Sequence, residues 1–123
     1  MEMNHVLVVE DDKEIREGVE IYLKSQGYEV FQAADGAEGL DVIDREDIHL
    51  AIVDIMMPVM DGLEAARQIR TLNRKDTKEI PIIAMTANAF QNDVRDCIDA
   101  GMNAHIAKPI DSKKIVDTLQ LVF

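Results

Sequence analysis

Short apolar runs rich in β-branched residues alternate along this chain with longer segments whose apolar positions recur at helical spacing. The runs occupy residues 5–9, 28–33, 50–53, 80–85 and 104–107. Several show little alternation of apolar and polar positions, the pattern of parallel strands covered on both faces. Between them, Ile15, Val19, Tyr22 and Leu23 share one helical face, with Gly27 following as a C-cap. Ala37, Leu40 and Ile43 form a second face after Asp35-Gly36, and Leu63, Ala66 and Ile69 a third, with Arg70 near its exposed edge. Val94, Cys97 and Ile98 make a fourth, closed by Gly101, and Ile115, Leu119 and Val122 a fifth. Five β-α units joined by right-handed crossovers build an open parallel sheet with helices on both faces. The pattern thus predicts an α/β domain with a single doubly wound five-stranded parallel sheet, (βα)5. Sites in such sheets lie beyond the carboxyl ends of the strands, near the point where strand order reverses.

The residues at those ends make chemical sense together. Glu10, Asp11 and Asp12 follow the first run, Asp54 the third, Thr86 the fourth, and Lys108-Pro109 the fifth. Taken singly, each has an ordinary explanation: Asp12 as N-cap of the helix starting at Lys13, which is the reading adopted for it, Thr86 as another cap, Lys108 as a solvated surface lysine. Jointly those explanations fail, because Glu10, Asp11 and Asp54 would crowd three negative charges at one point. A hard divalent cation relieves the repulsion, and a few carboxylates with open water positions suit Mg²⁺ better than Ca²⁺. Such a metal also takes the oxygens of a phosphoryl group, whose transfer demands mainly neutralisation and positioning. Lys108 offers a point charge and Thr86 a hydroxyl for the remaining oxygens. Asp54, central among these groups, is the candidate nucleophile for an aspartyl phosphate.

Composition narrows the classes. At 123 residues, with 47% hydrophobic and 30% charged, the chain is one domain of ordinary globular make-up. The formal net charge of −11 argues against direct binding of nucleic acid or anionic lipid. One cysteine, Cys97, fits a reducing compartment, and the short apolar run after Met1 is no signal peptide or membrane span. The protein is read as cytoplasmic, with no membrane partner.

Four blocks then carry a specific resemblance: Val-Leu-Val-Val-Glu-Asp-Asp (6–12), Val-Asp-Ile-Met-Met-Pro-Val-Met-Asp-Gly (53–62), Met-Thr-Ala-Asn-Ala (85–89) and Ala-Lys-Pro-Ile (107–110). In this order and spacing they resemble the receiver domain of two-component response regulators across essentially all of residues 1–123. The resemblance implies a flavodoxin-like strand order 2-1-3-4-5 and a phosphorelay switch that takes a phosphoryl group from a partner phosphohistidine in a Mg²⁺-dependent reaction. Asp54 matches the phosphoacceptor, Asp11 the acid contacting Mg²⁺ directly, and Glu10 the acid acting through water. The Met56 carbonyl completes the metal site. Thr86 matches the hydroxyl that moves onto the phosphoryl group, the Ala87 amide lies nearby, and Lys108 pairs with the phosphate. The Lys108–Pro109 peptide is expected to be cis, and Pro58 and Gly62 to shape the loop after Asp54. The implied partners are a sensor histidine kinase or histidine phosphotransfer domain and a downstream output domain or protein, reached through the face of helix four, strand five and helix five.

Two positions depart from the family pattern. The switch aromatic is His105, whose role as a rotating switch or as a plain strand residue stays open. Met56 cannot orient a hydrolytic water, whereas Asn88 has the amide to do so, so slow to intermediate self-hydrolysis is expected. His5 and His49 read as strand-edge residues, and no Cys/His spacing suggests zinc. Two other readings were weighed. A phosphohydrolase of the haloacid dehalogenase type needs a second acid where Met56 stands, and a cap for which there is no room. A degenerate receiver that only binds partners should have lost a key group, and none is lost. The blocks resemble receivers of hybrid sensor kinases more than those joined to winged-helix DNA-binding domains. With the fifth helix closing near Phe123, a stand-alone regulator or an excised module is expected.

Overall fold

The computed structural model describes residues 5–55, 61–72, 80–86, 91–108 and 111–122. Strands and helices alternate in the order β1 (His5–Val9), α1 (Lys13–Ser25), β2 (Glu29–Ala33), α2 (Gly36–Arg45), β3 (Leu50–Asp54), α3 (Gly62–Thr71), β4 (Ile82–Thr86), α4 (Gln91–Asp99), β5 (Ala104–Ala107) and α5 (Ser112–Val122). All strand pairings are parallel and the sheet order is β2-β1-β3-β4-β5, as expected. Chain order reverses at β1, so the carboxyl ends of β1 and β3 flank the switch point.

The continuous apolar strands are explained by two cores, one on each sheet face. Leu7, Val9, Ala51, Val53, Ile82 and Ala84 pack toward α2, α3 and α4. Val6, Val8, Leu50, Ile52, Ile83 and Met85 pack toward α1 and α5. β4 begins two residues later than its apolar run, because Pro81 has no N–H for the ladder, although its carbonyl accepts from Ala51. Asp54 and Thr86 are in turn the last residues of β3 and β4.

Two helical faces differ from the periodicity. In α2, Ala37 is exposed, and Gly36, Gly39, Val42 and Ile43 form the buried side. A Cβ on Gly39 would lie 2.9 Å from a Val9 methyl, so the helix packs on β1 through its glycines. In α4, Cys97 and Ala100 point inward while Ile98, one residue round the helix, is 65% exposed. The turn after α4 has the expected glycine: Gly101 has φ of 95° and donates to Ile98, and Met102 donates to Cys97. Gly27, at φ of 93°, likewise follows the α1 C-cap residue Gln26.

Arg70 is half-buried rather than an edge residue. Its guanidinium donates to the carbonyls of Ile80 (2.7 Å) and Gly101 (2.7 and 3.1 Å) and to Asn103 Oδ1 (2.9 Å). Asn103 Oδ1 also accepts from the Ile82 N–H at 2.9 Å. One side chain thus ties the end of α3 to the start of β4 and to the α4–β5 turn. Arg70→Ala strips these carbonyls of charged donors and is expected to cost about 2–4 kcal/mol in urea unfolding. A loss under about 0.5 kcal/mol would show the clamp to be replaceable by water.

Candidate functional site

The parallel register brings the predicted residues to one edge. Glu10 follows β1, Asp54 ends β3, Thr86 ends β4 and Lys108 follows β5. Asp12 has the capping role assigned to it, its carboxylate accepting from the N–H groups of Glu14 and Ile15. That turn presents Asp11 to solvent and leaves Glu10 fully buried. Carboxylate oxygens of Glu10, Asp11 and Asp54 lie within 4.8 Å of one another. Lys108 Nζ bridges the two buried acids, 2.9 Å from Glu10 Oε1 and 3.1 Å from Asp54 Oδ2. The approach to Oε1 is an ion pair without hydrogen-bond alignment. The Lys108 N–H donates to the Thr86 carbonyl at 2.7 Å, locking the end of β5 to that of β4. Thr86 Oγ1 is fully buried and has no hydrogen-bond partner among the described residues. Met56, Pro58, Ala87, Asn88 and Pro109 lie outside the described residues, so the carbonyl, the amide and the peptide expected there are not placed. His105 is half-buried on β5, opposite Ala84.

Two supporting side chains carry no motif that marks them. Arg16 Nη1 donates to the Glu10 carbonyl at 2.7 Å, and its Nε to Gln32 Oε1 at 2.9 Å, fixing the turn that carries the acids. Lys114 Nζ reaches the Ala107 carbonyl at 3.1 Å, beside Lys108. Each is one helical cation among several, with no signature until its partner is placed beside it.

Electrostatics follow from this packing. Burial pushes the Glu10 carboxyl up from 4.5 to about 7, helped by hydrogen bonding to Asp54 and by its charge, and opposed by Lys108 and the Asp12 N–H. Burial lowers Lys108, but its close contacts with Glu10 and Asp54 and their charges outweigh that and leave it above the usual lysine value. Between about pH 4.5 and 7 the folded domain therefore holds a Glu10 proton that the unfolded chain has lost. Stability falls as pH rises through that window. In metal-free buffer, unfolding free energy should drop by roughly 2 kcal/mol more in the wild type than in Glu10→Gln between about pH 5 and pH 8. Parallel slopes for the two proteins would refute the assignment.

The donors fit a hard cation: three carboxylates, two of them buried, and all oxygen ligands. The buried Thr86 hydroxyl has no acceptor among the described residues, and Lys108 is held between two acids rather than in solvent. The arrangement can hold a divalent ion and, beside it, an anionic group needing a donor and a cation.

The Response regulator receiver domain profile matches residues 6–120. The chain belongs to the response regulator receiver domain family. Among curated relatives, it is 42% identical over 106 residues to the CAI-1 autoinducer sensor kinase/phosphatase CqsS of Vibrio cholerae serotype O1, covering 86% of this chain but 15% of that protein. Of solved structures, the Vibrio cholerae chemotaxis protein CheY4 superposes with a TM-score of 0.93 at 32% identity, covering 99% of the receiver domain and all of CheY4. The receiver domain of the sensor histidine kinase PA1611 of Pseudomonas aeruginosa superposes with a TM-score of 0.85 at 36% identity, covering 97% of this chain and 96% of that one. The PA1611 structure has a magnesium ion coordinated in its active site cleft. Receiver domains of two-component systems act in phosphorylation-dependent signalling. No helix among the described residues of this receiver is long and apolar enough to cross a membrane.

Proposed function

We propose that this receiver takes a phosphoryl group on Asp54 from a partner phosphohistidine. The observation that carries the reading is Asp54 itself, a carboxylate 1% exposed at the end of β3, with Lys108 at 3.1 Å and two further acids beside it. An Asp54 carboxylate oxygen attacks phosphorus as the phosphorus–nitrogen bond breaks, and the electron pair stays on the departing imidazole. Lys108 exchanges its ion pairs with Glu10 and Asp54 for a phosphoryl oxygen, and Thr86 gives its buried hydroxyl to another. Asp11 and Asp54, with Glu10 behind them and the Met56 carbonyl alongside, would hold Mg²⁺, which supplies neutralisation of the phosphoryl oxygens. The Ala87 amide would take the third oxygen. Movement of Thr86 carries the loop after β4 inward and shifts His105 and the α4–β5–α5 face toward the output partner. The domain turns over no other substrate and loses its phosphoryl group slowly.

The donor is a sensor histidine kinase or a histidine phosphotransfer domain in the cytoplasm. The likeness to part of a sensor kinase supports a receiver working within such a relay. Intact-mass spectrometry after incubation with acetyl phosphate tests the core of this reading. One phosphoryl adduct that requires Mg²⁺ is expected; an adduct equally abundant in excess chelator would remove the metal from the proposal.

A further inference from the structure

The opposite end of the same sheet carries a second group of ligating side chains. Parallel pairing places His5 beside Glu29 on β2, and the register that opposes Val6 to Leu50 sets His49 on its other side. The two rings stack with centroids 5.0 Å apart at 24°. Ligand atoms of His5, Asp47 and His49 lie within 4.8 Å of one another. His5 Nε2 is 3.1 Å from Glu29 Oε2, and His49 Nε2 is 3.2 Å from Asp47 Oδ2. Neighbouring ligands of a tetrahedral ion with bonds of about 2.0–2.1 Å sit about 3.3 Å apart, so the His49–Asp47 pair has the span of a coordination edge.

The hydrogen bonds orient the rings for this. His5 Nδ1 lies 2.7 Å from the Asp47 carbonyl, which fixes the proton there and turns the Nε2 lone pair toward the Glu29 carboxylate. A histidine whose other ring N–H is held by a backbone carbonyl is in the arrangement of a metal ligand. His49 Nδ1 accepts the His5 backbone N–H at 3.2 Å. Coordination through Nε2 moves the ring proton to Nδ1 and gives up that long bond, with no net proton change in the neutral ring. Two imidazoles and one carboxylate match the mixed N/O preference of a borderline divalent ion, with a fourth position left for water.

We infer that His5, Asp47 and His49 form a site for a divalent transition metal of the zinc class, clasping the starts of β1 and β3, with Glu29 paired to His5 at its margin. About 16 Å separates it from the acidic site along the same strands. The class differs from Mg²⁺ because imidazole nitrogen, absent from the acidic trio, supplies two of the three protein ligands.

The test is calorimetric titration of the full chain with Zn²⁺ in saturating Mg²⁺, which occupies the acidic site. One Zn²⁺ per chain is expected, weakened at least about tenfold in His5→Gln, His49→Gln and Asp47→Asn. It should be unchanged in Glu10→Gln and Asp54→Asn. No uptake, or uptake lost in Glu10→Gln or Asp54→Asn but kept in the histidine variants, overturns the site. Should a histidine variant not fold, wild-type NMR decides. Zn²⁺ must then shift the ring signals of His5 and His49 and spare His105; any other pattern overturns the inference.

Discussion

Asp54→Asn is expected to abolish the phosphoryl adduct completely while leaving the receiver domain folded and, without metal, more stable. Loss of the adduct follows from loss of the nucleophile, since an amide oxygen cannot form the mixed anhydride. The gain in stability follows from the crowding. Three acids meet where Lys108 alone among the described side chains is in ion-pair contact with Asp54 and Glu10. Removing the Asp54 charge withdraws both its hydrogen bond to Glu10 and its repulsion, so the Glu10 carboxyl falls back from about 7. An increase on the order of 1–2 kcal/mol in urea unfolding at pH 8 is expected, and adding Mg²⁺ should narrow the gap between variant and wild type. An adduct that survives in the variant would move the acceptor to another residue. A variant less stable than the wild type would mean that the Lys108–Asp54 pair outweighs the repulsion.

The second large effect belongs to Gly62, the first residue of α3. Its φ is not positive; the constraint is steric. A Cβ there would lie 2.3 Å from the Asp54 carbonyl oxygen and 2.8 Å from both the Asp54 carbonyl carbon and Ile55 Cα. All three are backbone atoms and cannot swing aside. Gly62→Ala must push α3 off the end of β3 or displace the residue that carries the acceptor. A loss of about 3 kcal/mol or more is expected, with phosphorylation by acetyl phosphate slowed as well, since small misplacements of a reacting group are costly. Gly18→Ala provides the contrast. It lies within α1 with nothing within 4 Å of the added methyl, and should stabilise by about 0.5–1 kcal/mol. If both alanine variants unfold alike, the close approach of α3 to β3 is not a constraint in solution.

Much of this was legible in the chain because parallel strands buried on both faces leave uninterrupted apolar runs, and because sites in such sheets fall at strand ends. Glu10, Asp11, Asp54, Thr86 and Lys108 therefore gather at one edge on the strand pattern alone. What failed was whatever depends on distance between elements. On α2 the periodicity finds Leu40 and Ile43 on the inward side but misses Gly39, which carries no hydrophobic signal and packs against Val9. Ile98 was placed inside by its hydrophobicity, yet the tight turn at Gly101 sets the helix so that Cys97 and Ala100 face the core. Arg70 reads as a surface cation until Ile80, Gly101 and Asn103 are beside it. His5 and His49, 44 residues apart, become neighbours through strand register alone.

The Arg70 clamp also has a mechanical consequence. α4 is pinned where it ends, because the guanidinium grips Gly101 and Asn103 just beyond its last turn while anchored on α3 and the start of β4. A lever fixed at its far end does not slide along its own axis; it swings. If Thr86 moves as proposed, the displacement at the carboxyl end of β4 enters this helix at its first residues and fades toward the clasp. The surface so remodelled would be a wedge, widest beside the phosphorylation edge and narrowing toward the opposite rim.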